Sequence, residues 1–134
     1  MVDDELIDKT EFFQFKGKWK EAIAYLTEQK KGIAVAALFH PQIGEIDLVW
    51  GRVGDKRQHG LGLSKIIEFH PEVVENMQPI LQKMKAKFIN DNDGWKIKGQ
   101  GYKGSVRVVF DNEPRRWLMT LFEKEKPVRK RVLK

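Results

Sequence analysis

Hydrophobic residues along this chain change their spacing several times, and each change predicts a change of element. Trp19, Ala22, Ile23 and Leu26 share one helical face, while Lys20, Glu21, Glu28 and Lys30 take the other. That pattern predicts an amphipathic helix from Lys18, with Gly32 placed to end it in a left-handed conformation. Ahead of it, Asp3 to Phe15 reads as a loose helical arm, capped by Asp3 or Asp4 and interrupted by Gly17. Ile33 to Phe39 is almost wholly apolar, as in a buried strand, and His40-Pro41-Gln42-Ile43-Gly44 reads as a turn. Glu45 to Trp50 then alternates, with Ile46, Leu48 and Trp50 on one face and Asp47 and Val49 on the other, which predicts a second strand.

The centre of the chain is Gly60-Leu61-Gly62-Leu63-Ser64-Lys65-Ile66-Ile67-Glu68-Phe69-His70-Pro71. Leu63, Ile66 and Ile67 give a short helix one apolar stripe, and Pro71 disfavours the α conformation at His70, ending it there. Pro71 is suited to open the next helix, whose stripe runs through Val73, Val74, Met77, Ile80, Leu81 and Met84, with a kink or break expected at Pro79. Lys87 to Ile89 starts the later sheet. Asn90 to Gly94 is a turn, Trp95 to Lys98 a weak strand, and Gly99 to Gly104 a glycine-rich loop. Ser105 to Asp111 puts Val106, Val108 and Phe110 on one face. After a turn at Asn112-Glu113-Pro114-Arg115, Arg116 to Glu123 puts Trp117, Met119 and Leu121 on one face and Leu118, Thr120 and Phe122 on the other. Helices followed by antiparallel strands predict an α+β layer fold.

Length and composition narrow the class. A chain of 134 residues, 41% hydrophobic and 33% charged, is one domain (residues 18–123) between an arm (1–17) and a tail (124–134). There is no cysteine, which removes disulfides, thiolate metal sites and cysteine catalysis and fits a reducing, cytoplasmic setting. No apolar run reaches the roughly 18 residues of a membrane span, and the acidic first residues lack a signal-peptide core. The expectation is a soluble protein with no membrane partner. Of the net charge of +6, the last eleven residues supply +5, so the basic balance is a property of the tail. Such a tail gathers phosphates without specificity, or is simply a solvated terminus.

His40, His59 and His70 show no metal-ligand spacing, so no metal is expected, and the Gly60-Leu61-Gly62 run lacks the Lys-Ser/Thr of a phosphate loop. His70 is either a core-edge histidine bonded to backbone or a general acid or base, since imidazole titrates near neutral pH. Lys65 is a solvated lysine or a phosphate contact. Arg52, Lys56, Arg57 and His59 form a basic loop that either clamps phosphate or is simply solvated, and Ser64 and Arg116 complete the candidate RNA contacts. Thr120 is either satisfied within the sheet or presented to a phosphate. Arg107 lies across the hairpin from the Arg116–Glu123 strand, on the face opposite Val106 and Val108, and Glu123 pairs with a lysine or serves as base. Metal-free RNA cleavage needs this inventory. A base takes the 2′-hydroxyl proton, an acid protonates the leaving 5′-oxygen, and cationic or hydroxyl groups stabilise charge on phosphorus, without a cofactor. DNA, lacking the 2′-hydroxyl, is not a substrate for it.

Three segments carry a family resemblance: Ile43-Gly44-Glu45-Ile46-Asp47-Leu48-Val49-Trp50-Gly51, the central Gly60 to Pro71 run, and Trp117-Leu118-Met119-Thr120-Leu121-Phe122-Glu123. Together they resemble the phage-associated barnase–EndoU–colicin–RelE-like nuclease domains, in matching order over roughly residues 20 to 124. The resemblance implies N-terminal helices packed on a curved antiparallel sheet of about four strands. It also implies a metal-independent ribonuclease toxin attacking RNA, often tRNA, and an acidic immunity protein as partner. The matching positions are Lys65 and His70, Thr120 with Glu123, and loosely Arg107. Relatives often carry a histidine where Lys65 stands. The alternative expectation is a non-catalytic domain of a phage-derived protein that binds nucleic acid or an acidic partner through its tail and basic loop.

Overall fold

The apolar runs of the sequence meet in one mixed sheet covered by three helices. The computed structural model describes residues 7–52 and 60–124. In chain order these form β1 (Glu11–Phe12), α1 (Trp19–Gln29), β2 (Ile33–His40), β3 (Gly44–Val49), α2 (Gly62–Phe69), a 3-10 turn (Pro71–Val73) and α3 (Met77–Gln82). Then come β4 (Lys85–Asn90), β5 (Gly94–Gly99), β6 (Tyr102–Phe110) and β7 (Glu113–Glu123). The strand order is β1-β2-β3-β7-β6-β5-β4. The expected α+β class holds, whereas the expected four-stranded antiparallel sheet does not. The described residues form seven strands, and β1 on β2 and β3 on β7 run parallel. The reason lies in β3, where Ile46, Leu48 and Val49 are all fully buried. A strand buried on both faces belongs inside a sheet, and β7 supplies the missing neighbour. No described helix is long and apolar enough to cross a membrane.

The N-terminal arm departs from expectation. Its described part, from Ile7, is not helical. Glu11 and Phe12 pair parallel with Ile33 and Ala34, and the Phe12 ring packs edge-on against Tyr25 at 5.0 Å. Imperfect helical spacing is overruled by aromatic packing. Helix α1 is closed by Lys30, at φ 57, and Gly32 instead admits the chain to β2, where a Cβ would meet the Phe12 ring. The expected break near Pro79 is present but falls earlier, between the 3-10 turn and Met77. Pro79 is the third residue of α3, where its missing N–H costs nothing.

Four features bend the sheet. The β6–β7 turn is formed by Asp111 and Asn112, at φ 54 and 67, the left-handed pair that a two-residue type I′ hairpin requires. The turn therefore precedes the expected one, and Pro114 lies inside β7. Ser105 faces Thr120 while Val106 faces Leu118, so Met119 is an extra, bulged residue. The bulge overturns the expected alternation: Leu118 and Leu121 both join the main core, and Trp117 and Met119 join a second cluster with Ile33, Val49 and Phe110. At the far ends, buried His40 bonds the Met84 carbonyl through Nε2 (2.7 Å), and the Gln42 amide pairs with both backbone groups of Ala86. Strands β2 and β4 are five places apart in the sheet, so it curls to let them meet.

Asp47 ties the strands together. Its Oδ1 accepts the N–H of Ala36 (2.7 Å), which sits at φ 59 in the bulged middle of β2, and its Oδ2 accepts Arg115 Nη1 (2.5 Å). Arg115 also pairs with Glu11 of β1. Burial opposes the Arg115 charge, but hydrogen bonds to Glu11 and Asp47 outweigh it and raise its pKa. Replacing Asp47 by Ala leaves both donors unmet. We expect it to cost about 3 kcal/mol, read as a lowered urea midpoint with unchanged m-value. Asp47→Asn, which keeps an acceptor for Ala36, should cost less.

Candidate functional site

Helix α2 is set against the sheet by contacts that admit little variation. Gly62 opens it at φ +82, and a Cβ there would lie 2.5 Å from the Val49 carbonyl oxygen. Ser64 N–H donates to the Trp50 carbonyl (2.9 Å), and Arg52 and Leu61 exchange backbone hydrogen bonds of 3.0 and 2.8 Å. The start of α2 is thus locked to the end of β3, and the glycine lets backbone approach backbone rather than a ligand. Leu63 and Ile66 are fully buried, so α2 lies with its apolar stripe on β7.

The other end of α2 delivers His70. Its φ and ψ of −138° and 53° leave the helix, as Pro71 requires, while its N–H still bonds the Ile66 carbonyl at 2.7 Å. The imidazole packs on the Phe122 ring at 5.2 Å between centroids, and Nδ1 lies 3.9 Å from the Glu72 carboxylate. That carboxylate accepts the N–H of Glu123 at 3.2 Å. The end of α2, the 3-10 turn and the end of β7 therefore converge, with the His70 side chain 16% exposed. The ring is neither sealed among aliphatic groups nor free in solvent.

Beside this cluster, the register of β4 to β7 lays out a regular face. One row across the strands reads Lys85, Lys98, Lys103, Phe122, each residue directly opposite the next. The adjacent row reads Lys87, Lys96, Ser105, Thr120. Both rows line a groove of about 500 Å³. The reverse face, with Ile97 and Leu121, is core. Thr120 is therefore presented on the same face as Phe122, one row from the ring that His70 covers.

The other residues singled out from the sequence scatter. Lys65 lies half-buried in α2, five residues before His70. Arg107 lies two residues beyond Ser105 along β6, on the same face by alternation. It is four positions, roughly 14 Å, from Lys103 and its partner Phe122. Glu123 contributes its N–H to Glu72, and alternation turns its side chain to the face opposite Thr120. Arg116 bonds the Ile43 carbonyl (2.9 Å) and so braces the β2–β3 turn. Ser64 is 3% exposed, and burial corrects its reading as an RNA contact. Arg52 is half-buried where β3 ends, whereas Lys56, Arg57 and His59 lie outside the described residues. Among the described residues, no group of three His, Asp or Glu side chains is arranged to hold a metal.

Glu72, Phe122 and the five lysines were not singled out from the sequence. The lysines had a signal, Lys-x-Lys in consecutive strands at residues 85–87 and 96–98. Glu72 had none, because its role depends on β7 passing beside the 3-10 turn.

Residues 37–128, more than half of the chain, match the family described as phage-Barnase-EndoU-ColicinE5/D-RelE like nuclease. No curated protein and no solved structure matches. The lock between β3 and α2 is testable by itself. Gly62→Ala should destabilise the fold by about 1–3 kcal/mol, measured by thermal unfolding, because a side chain there meets carbonyl oxygens in a left-handed conformation.

Proposed function

The chain belongs to the phage-Barnase-EndoU-ColicinE5/D-RelE like nuclease family, and from that premise we propose that it is a metal-independent endoribonuclease of toxin type. The observation that carries this reading is the convergence of His70, Glu72 and the Phe122–Glu123 end of β7 beside the face bearing Thr120. In the proposed reaction a base removes the proton from a ribose 2′-hydroxyl, and the 2′-oxygen attacks the adjacent phosphorus. The 5′-oxygen leaves with a proton from the acid, giving a cyclic phosphate and a free 5′-hydroxyl. His70 is the acid or base. Glu72, facing Nδ1, holds the ring so that Nε2 meets the substrate. Thr120 orients the phosphate, Lys65 offsets its developing charge from the helix side, and Arg107 does so one row beyond Thr120.

The substrate is cytosolic RNA, with tRNA as the first to test, and an acidic immunity protein is the expected partner. A binding domain without catalysis is the second reading, and the lysine rows favour it independently of His70. Purified protein incubated with total RNA in EDTA separates the two. Cleavage should appear with wild type and fall at least about 100-fold with His70→Ala. Equal cleavage by the variant would remove His70 from catalysis, and intact RNA with wild type would leave only binding. Truncation after Lys124 should weaken cleavage without abolishing it.

A further inference from the structure

Five lysines on one face of β4, β5 and β6 are an unusual arrangement, because the register sets like charges directly against each other. Lys85 opposes Lys98, Lys98 opposes Lys103, and Lys87 opposes Lys96. Like charges directly opposite destabilise a sheet. All five side chains are exposed, and none forms an ion pair with a described carboxylate. None of the residues lining their groove is acidic. The opposite face of β5 and β6 is apolar core, with Ile97 and Val106, so the alternation there is needed for folding but the choice of lysine is not. A surface of this kind is relieved by a polyanion.

The geometry points to a docking track for the phosphate backbone of single-stranded nucleic acid, running across β4, β5 and β6 toward Thr120 and Phe122. Adjacent residues in a row stand about 5 Å apart and the two rows about 7 Å apart, so the charged strip is roughly 10 Å long and one backbone wide. The groove of about 500 Å³ has the dimensions of a small-ligand site. The width of the strip matches one strand's backbone. Its charged part ends where hydroxyls begin, at Ser105 and Thr120, and its other row ends on the ring that His70 covers. The track thus delivers a phosphate to the catalytic cluster. The identity of the anion rests on the nuclease reading, while the binding itself does not require catalysis.

The test uses a labelled single-stranded deoxyoligonucleotide of about twelve nucleotides, which lacks the 2′-hydroxyl and survives the proposed chemistry. Its affinity is measured by anisotropy from low to moderate salt. For single strands the logarithm of affinity falls with the logarithm of salt by about 0.7 per neutralised phosphate. The double variant Lys96→Gln, Lys98→Gln should weaken binding and reduce that slope by about 1.4. Lys18→Gln, Lys20→Gln at the exposed start of α1 should leave it unchanged, and circular dichroism should show all variants folded. An unchanged slope in the β5 double variant overturns the track, as does equal affinity for a duplex of the same sequence or for polyglutamate. Failure of the nuclease reading looks different, with His70→Ala and wild type binding alike and neither cutting RNA.

Discussion

The carboxylate of Asp47 holds together the two halves of this sheet, and the rest of the architecture depends on it. Strands β3 and β7 pair in parallel at a single described register position, Asp47 opposite Trp117. That is a slender join for strands drawn from distant parts of the chain. Asp47 strengthens it by accepting from Arg115 two residues along β7 and from Ala36 in β2. It also stabilises Ala36 in a left-handed conformation that alanine adopts at a cost. A charge nearly out of solvent is tolerable only when its oxygens are occupied, and both are. Glu11 extends the same network to β1, so four strands share one electrostatic contact.

Strand β7 does three different things along its length. Its first half neighbours β3 and carries Arg115 and Arg116, which brace the β2–β3 hairpin. At Met119 it bulges, which turns Leu118 and Leu121 to the same core and lets the strand bend. Beyond the bulge it has left β3, and the edge so exposed is taken by Glu72 at the N–H of Glu123. An edge strand covered by a side chain from a turn is protected from pairing with another chain. It also leaves room for His70 beside Phe122. The bulge and the site are therefore two consequences of the same departure of β7 from β3.

Stability and function pull in opposite directions on the lysine face. Replacing one lysine of each opposed pair by threonine or glutamate would suit the sheet better, and the apolar reverse face would be untouched. The sheet tolerates the repulsion because Ile97, Leu121 and Gly104 pack tightly behind it, where a Cβ on Gly104 would lie 2.6 Å from the Thr120 carbonyl oxygen. The packing of these residues thus offsets the repulsion on the surface they support.

The amphipathic spacing of Trp19 to Leu26, the apolar run from Ile33 and the Pro71 stop were legible in the chain, because burial on one face leaves a periodic mark and burial on both leaves a continuous apolar run. So were the α+β class and the family, whose three motifs are short and contiguous. Asp111-Asn112 carries a turn signal, and the turn lies there rather than at Asn112 to Arg115. What tertiary structure alone decided was strand number and order, the bulge at Met119, the convergence of Glu72 with His70, and the assembly of separate Lys-x-Lys pairs into one face. Each depends on which strand lies beside which. Local periodicity records whether a residue is buried, and it carries no record of the partner that buries it.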